Sequence, residues 1–295
     1  MAVSEIQQAI QYMEDHLLED ITYVDAARSV RMSGYSFHRM FSFVVGMTAN
    51  EYIRSRRLSL AGQALQEGGL SVIEAAYQYG YESPESFSKA FSRFHGSTPR
   101  QAKIKGTPLR AFGPLAVKIT IGGGSMIDYR MERREAQKFL AVKRAFSNET
   151  MLDENGRSIP DFWGECGANG LIDGLKALRP QGKRDLFGLC GPVLSSESHF
   201  WYGIGVRLDE ETCPAEAEAL LDAGCAPWQT GPAEYAVFPC VGPDGECVGQ
   251  VWERFFQEFL PQTGLLQTDG TDYELYYEQG GKDLFCELWV PVARG

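Results

Sequence analysis

The sequence predicts a multi-domain protein, with an N-terminal all-α part made of two helix-turn-helix units and a C-terminal α+β part made of two βαββ units. Three observations predict it. A helix-turn-helix pattern recurs within the first hundred residues. After Lys105 the apolar periodicity changes from helical to alternating. A second, fainter repeat runs from Met126 onward. The divisions fall at 1–105 for the helical domain, 106–125 for a linker and leading strand, and 126–295 for the α+β domain. A chain of 295 residues is long enough for each part to bury its own core.

The helical elements follow in order. An opening helix runs from Val3 to about Leu17. Thr22 caps a short helix whose Ala26-Ala27 pair allows a neighbour to approach closely, and the pattern breaks near Arg31–Met32. Ser33 caps the next helix, where Phe37, Met40 and Phe41 share one face and Tyr35, His38, Arg39 and Ser42 share the other. In the second copy Ile73, Ala75 and Ala76 repeat Val24, Ala26 and Ala27, and Ser83 caps with Pro84 at the first helical position. Phe87, Ala90, Phe91 and Phe94 point inward there, leaving Glu85, Ser86, Lys89 and Ser92 outside. Gly46 and Gly96 end the two second helices. Between the copies one long helix runs from a Thr48 cap to Gly68, spanning about 30 Å. That is close to the roughly 34 Å between successive major grooves on one face of DNA. Arg54, Arg56 and Arg57 on this helix are placed near phosphates. A closing helix follows Thr98-Pro99.

Charge is divided in the same way as the pattern. The chain carries a net charge of -11, yet residues 21–110 hold 12 Lys and Arg against 6 Asp and Glu. A basic block beside an acidic domain suggests that one half meets an anion. The seven cysteines lie between Cys166 and Cys286 with no CxxC pair. That argues against a disulfide framework and a zinc site, and fits buried thiols in a reducing cytoplasm. The acidic N-terminus does not read as a signal peptide, and no apolar run reaches membrane-spanning length.

The motifs of the first hundred residues resemble the DNA-binding domain of the AraC/XylS regulators. The resemblance rests on Ser33–Gly46, YIRSRRL (Tyr52–Leu58), SVIEAAYQYGYES (Ser71–Ser83), FSKAFSRFHG (Phe87–Gly96) and TPRQAK (Thr98–Lys103). It implies that Tyr35, Ser36, His38 and Arg39 enter one major groove and Glu85, Ser86, Lys89 and Arg93 the next. Arg54 and Arg56 are then on the backbone. Promoter DNA is the implied partner, with RNA polymerase a further candidate. Pro84 and Glu85 depart from the amide-rich residues common in the family, and Arg39 is the better candidate for a guanine contact. The competing reading is an ordinary helical bundle with solvated polar faces.

Beyond Lys105, an alternation at Leu115–Ile121 suggests a strand, and Gly122–Gly124 a loop rather than a dinucleotide fingerprint. The first βαββ unit has a strand at Lys138–Ala145, a helix at Ile159–Leu178 and strands at Asp185–Cys190 and His199–Leu208. The second has a strand from Ala233, a helix at Glu246–Phe259 and strands at Tyr273–Glu278 and Leu284–Val292. Such a duplicate pairs into one antiparallel-rich sheet with its helices on one face and a cleft along the pseudo-dyad. Glu274 and Glu287 stand mid-strand among aromatics, Glu274 sharing a face with Tyr276 and Glu287 with Trp289. Paired acids beside aromatic rings suit a cation. By spacing alone, two acids facing water are marginally the better alternative.

The two units, the closing ELWVPV and the strand acids resemble the GyrI-like effector-binding domains that follow AraC-type domains in some regulators. The resemblance implies a cationic or lipophilic effector held by Glu274, Tyr276, Glu287 and Trp289, with Trp163 and Tyr235 lining the cleft and Trp201 and Tyr202 in core or rim. The expected function is a transcription regulator of the cytoplasm, without cofactor, metal or catalysis. A hydrolase of small electrophiles, with Glu274 or Glu287 as general base, and a ligand-sequestering module are the alternatives.

Overall fold

The computed structural model describes residues 2–116, 126–193, 199–209, 212, 214–281 and 283–294. The chain folds as two compact units whose border lies between residues 116 and 126.

In the helical unit, α1 (Ala2–Asp15) precedes the first pair, α2 (Tyr23–Ser29) and α3 (Gly34–Val45). The long α4 (Ala49–Glu67) leads to the second pair, α5 (Val72–Gln78) and α6 (Pro84–His95), and the short α7 (Pro99–Ala102) closes it. The caps expected at Thr22, Thr48, Ser83 and Thr98 form, and Ser71 adds one that was not expected. Thr22, Thr48, Ser71 and Thr98 each form a capping box, and Ser83 caps α6 with Pro84 in its first turn. Gly68 and Gly96 end α4 and α6 with φ of 81° and 75°, where a side chain would be strained. Leu58, Ala61, Leu65, Ala75, Ala76, Phe87 and Phe91 make the core of the second half. The closing helix is a single turn.

The helical unit does not stop at residue 105. The segment after α7 lies along α4 as a strap. Phe112 N–H donates to Ser59 Oγ at 3.0 Å, Leu115 N–H to Tyr52 Oη at 3.3 Å, and Gln66 Nε2 to the Thr107 carbonyl at 2.7 Å. Leu109 packs into the core of the second half. Its Gly and Pro punctuation suggested a linker, but Leu109, Phe112 and Leu115 are half-buried and its backbone donors reach α4 and α6. The rest of the strand expected at Leu115–Ile121 and the Gly122–Gly124 loop lie outside the described residues.

The second unit holds β1 (Arg130–Arg134), β2 (Lys138–Ser147), α8 (Ile159–Ala168), α9 (Leu171–Ala177), β3 (Leu186–Val193), β4 (His199–Leu208) and α10 (Pro214–Asp222). There follow β5 (Ala226–Gln229), β6 (Ala233–Val241), α11 (Glu246–Arg254), which continues through a π-helical turn (Phe255–Phe259) into α12 (Leu260–Thr263), then β7 (Leu265–Gln267), β8 (Asp272–Tyr276) and β9 (Leu284–Arg294). The helix expected over Ile159–Leu178 is broken in two by Asn169 and Gly170, the latter at φ 83°. Among the described residues the strands form one sheet ordered β1-β6-β9-β8-β3-β4-β2-β5, with β7 beside the end of β9.

That order displays the duplication. β2-β4-β3 of the first repeat meets β8-β9-β6 of the second at the β3–β8 pair, so a pseudo-dyad passes between those strands. Each repeat also lends an edge to the other. β1, which leads into the first repeat, pairs with β6 of the second, and β5, which leads into the second, pairs with β2 of the first. Pro227 sits in the terminal strand β5, where its missing N–H costs no ladder bond. α8 and α9 cover one face through Phe162, Cys166, Leu175 and Leu178 against Leu140, Phe146, Phe200, Tyr202, Ile204 and Val206. Phe255 and Phe259 meet Phe238 on the same face. The opposite face carries Phe139, Phe187, Leu189, Tyr235, Val237, Tyr273, Leu275 and Trp289.

Candidate functional site

α4 carries three arginines with three different fates. Arg56 is buried, pairing through Nε with Glu14 at 2.8 Å and through Nη2 with the same carboxylate at 2.9 Å, while Nη1 donates to the Phe112 carbonyl. Burial pushes the Glu14 carboxyl up, but the Arg56 and Tyr52 hydrogen bonds outweigh it and hold it below the usual range. Arg57 donates to the Leu17 carbonyl at 2.7 Å and to that of Glu19, over Gly80, whose φ of 80° admits no ordinary side chain. The expectation that Arg56 and Arg57 lie on phosphates is therefore corrected, since both guanidinium groups are spent inside the unit. Arg54 is exposed.

α6 presents Glu85, Ser86, Lys89 and Arg93 to solvent. The Ser86 hydroxyl turns back to the Ser83 carbonyl at 2.9 Å and so belongs to the cap as well as to the surface. On α3, Tyr35 and Ser36 stand in the first turn, and with His38 and Arg39 they are buried, which corrects the expectation that this face is presented outward. His38 faces α2 with its ring edge-on to Tyr23, the centroids 5.5 Å apart, and Arg39 occupies the position that Lys89 has on α6.

In the sheet, the register separates the two acids. Glu274 pairs with Leu288 and Leu275 with Glu287, so Glu274 and Glu287 point to opposite faces. The single two-acid receptor expected from the sequence does not form.

Glu274 lies on the helix-covered face. Its Oε2 accepts from Tyr202 Oη at 2.6 Å and from Tyr276 Oη at 3.5 Å, and Trp163 of α8 donates its indole N–H to Tyr202 Oη at 3.0 Å. Trp163 also meets Tyr276 edge-on at 5.0 Å. Burial, then the neighbouring Glu274 charge, push the Tyr202 phenol well above its ordinary value, so it remains a donor. Gly188 makes room, because a Cβ there would collide with both Tyr202 Oη and Glu274 Oε2. This arrangement ties α8 to the sheet.

Glu287 lies on the other face. Arg130 holds it with two bonds of 2.7 Å, Tyr277 Oη donates at 2.7 Å, and the Trp289 indole N–H at 3.2 Å. Burial raises the Glu287 carboxyl, but the Arg130 and Tyr277 bonds outweigh it and leave it below the usual range. The Arg130 and Arg134 guanidinium carbons stand 5.4 and 4.8 Å from the Trp289 ring centroid, and Glu132 pairs with both arginines at 2.6 Å. Tyr273 stacks on Trp289 at 5.3 Å, and Tyr235 meets both rings at 5.3 and 5.9 Å. Burial raises the Tyr235 phenol to about 12. Trp228 lies over Gly191 and Gly203 with its N–H 3.2 Å from Thr271 Oγ1.

Of the ligand candidates, Tyr235, Glu287 and Trp289 come together, while Trp163, Tyr276 and Glu274 form the separate cluster under α8. Tyr202, expected in core or rim, is buried in the core, whereas Tyr273, Tyr277, Trp228, Arg130 and Arg134 were not anticipated. Arg130, Glu132 and Arg134 alternate at two-residue spacing, which would have put them on one face had β1 been recognised as a strand. Among the described residues no cluster of His, Cys, Asp or Glu could hold a metal, and no helix is long and apolar enough to cross a membrane.

Two helix-turn-helix units on one bridging helix, joined to a duplicated βαββ sheet, define a DNA-binding regulator with a small-molecule domain. Residues 127–293 match the GyrI-like small molecule binding domain, and the chain belongs to that family; residues 26–103 match a helix-turn-helix domain. The right origin-binding protein of Escherichia coli K12 is 25% identical over 304 residues, covering 98% of each chain. Transcriptional regulator Rob of Salmonella typhimurium is 23% identical over 305 residues, again 98% of each. The HTH-type transcriptional activator AarP of Providencia stuartii is 32% identical over 102 residues, 35% of this chain and 76% of that one. The protein is a DNA-binding transcription regulator of the AraC type with an effector-sensing domain.

Proposed function

We propose that the effector is a flat, delocalised cation or a lipophilic aromatic, and that it binds on the helix-free face of the sheet against Trp289, Tyr273 and Tyr235, altering DNA affinity. The observation that carries this reading is the chain's own occupant: Arg134 stands over the Trp289 ring at 4.8 Å. A guanidinium is flat and cationic, so the ring already accepts the chemistry proposed for the ligand. The Arg134 side chain is 39% exposed and tethered to Glu132, so a ligand that displaces it gains the face of the otherwise buried Trp289 ring. The ligand must favour one of two states of the protein for its binding to change DNA affinity.

On the DNA side we assign the exposed Glu85, Ser86, Lys89 and Arg93 of α6 to one groove, and Tyr35, Ser36, His38 and Arg39 of α3, buried in this structure, to the next once they are uncovered. Regulation at a promoter acts through RNA polymerase, which we include as a partner, and the buried thiols of six described cysteines suit the cytoplasm. Hydrolysis fits less well, because a carboxylate held low by Arg130, as Glu287 is, makes a weak general base.

Calorimetric titration of the full chain with a planar aromatic cation and with its neutral isostere tests the reading. Arg134→Ala should tighten cation binding about threefold by baring the ring, and Trp289→Ala should weaken it at least as much. Equal affinity for cation and isostere, or an unchanged Arg134→Ala variant, would count against this site.

A further inference from the structure

The helical unit contains a cleft of about 800 Å³ bordered by Arg54 and Glu51 of α4, Tyr81, Arg93 and Phe94 of the second pair, and Arg110. Arg110 comes from the strap, outside the residues matched by the helix-turn-helix family. Its backbone N–H donates to His95 Nδ1 at 3.2 Å, while His95 Nε2 lies 2.9 Å from the Leu58 carbonyl. The strap is thus fastened to α6 and α4 at the point where Arg110 turns outward.

Two features give the cleft its character. Three exposed guanidinium groups converge on it. The acid on its border, Glu51, is held back in the α4 capping box, accepting from Thr48 N–H at 2.9 Å and Thr48 Oγ1 at 3.0 Å, and its single charge is outnumbered by the arginines. Independently, the Tyr81 hydroxyl is buried with no hydrogen-bond partner among the described residues. Burial raises that phenol, with Arg54 and Arg57 partly opposing, so it stays a donor lacking an acceptor. Three cations and an unused hydroxyl donor fit an oxyanion.

We propose that this cleft seats a phosphate of the DNA backbone and that Arg110 is its third cationic contact. The proposal rests on the DNA-binding reading. Arg93 supports DNA as the occupant, because it stands one turn beyond Lys89 on the exposed side of α6. The cleft therefore continues the surface that faces DNA. Arg110, fixed by His95, ties the strap to the bound duplex.

The test uses the full chain and a random-sequence DNA duplex, with affinity measured across a salt series. Arg110→Ala should weaken binding several-fold and lower the slope of log affinity against log salt by about 0.9, the contribution of one phosphate contact. Arg110→Lys should keep most of that slope. Arg100→Ala, which removes an exposed α7 cation away from the cleft, should leave it unchanged. Tyr81→Phe should weaken binding about threefold without altering the slope, as expected for an uncharged hydrogen bond. A wild-type slope in Arg110→Ala, with the melting temperature preserved, would overturn the cleft while leaving DNA binding intact. A wild-type chain without salt-dependent affinity would overturn the DNA reading itself.

Discussion

The two faces of the sheet hold one acid each, in neighbouring strands, and treat it in opposite ways. Beneath α8, Glu274 is held by phenols in close-packed surroundings that depend on a glycine. On the opposite face, Glu287 is held by a guanidinium that also lies on a tryptophan ring. The difference teaches that an acid among aromatics has no fixed meaning. Its role follows from which strand lies beside it and which face that register chooses.

Substitutions on each face can break or sharpen the contrast. The largest effect is expected at Gly188, since an added methyl meets both Tyr202 Oη and Glu274 Oε2. Gly188→Ala should cost about 3 kcal/mol in urea unfolding, the upper range for overpacking. Loss of less than about 0.5 kcal/mol would mean that this face is loose rather than close-packed.

On the other face, Glu287→Gln removes the charge from the Arg130 pair and should cost about 2 kcal/mol near neutral pH. The cost arises because Arg130 would be left with Glu132 as its one remaining carboxylate among the described residues. The Glu287 carboxyl is held below its ordinary value of 4.5, so its contribution is complete above that pH and is lost as pH falls through the folded value. Wild type should therefore lose more stability than Glu287→Gln on acidification below about pH 4.5. Parallel pH profiles would show that the charge contributes nothing. The smallest effect belongs to Tyr276→Phe, which removes only a 3.5 Å contact to Glu274 and should stay within about 0.5 kcal/mol.

The helical half was legible because its signals are local. Thr48 and Gly68 bracket α4, and Ser83 with Pro84 starts α6, each through bonds spanning three or four residues. What escaped there was the direction of long side chains: Arg54, Arg56 and Arg57 are near neighbours in sequence, yet only Arg54 is exposed, because Glu14 and the Leu17 and Glu19 carbonyls draw the other two inward. The strap escaped because glycine and proline mask a segment whose partners lie on α4. In the sheet, strands with apolar alternation could be read, whereas β1 and β5 are short edges whose alternation is charged or interrupted by proline. The separation of Glu274 from Glu287 depends on the Leu275–Glu287 pairing, a long-range fact that neither strand contains alone.

The exchanged edges bear on how the chain acquires its shape during synthesis. Arg130 finds its ladder partner in Val237, about a hundred residues later on the growing chain. The first repeat therefore leaves the ribosome with one edge strand awaiting a partner not yet made, and β2 likewise waits for β5. Pairings so distant in sequence are slow to close, and unpaired edges invite the wrong neighbour. Neither repeat is a finished object alone; each is completed only when the other has been translated.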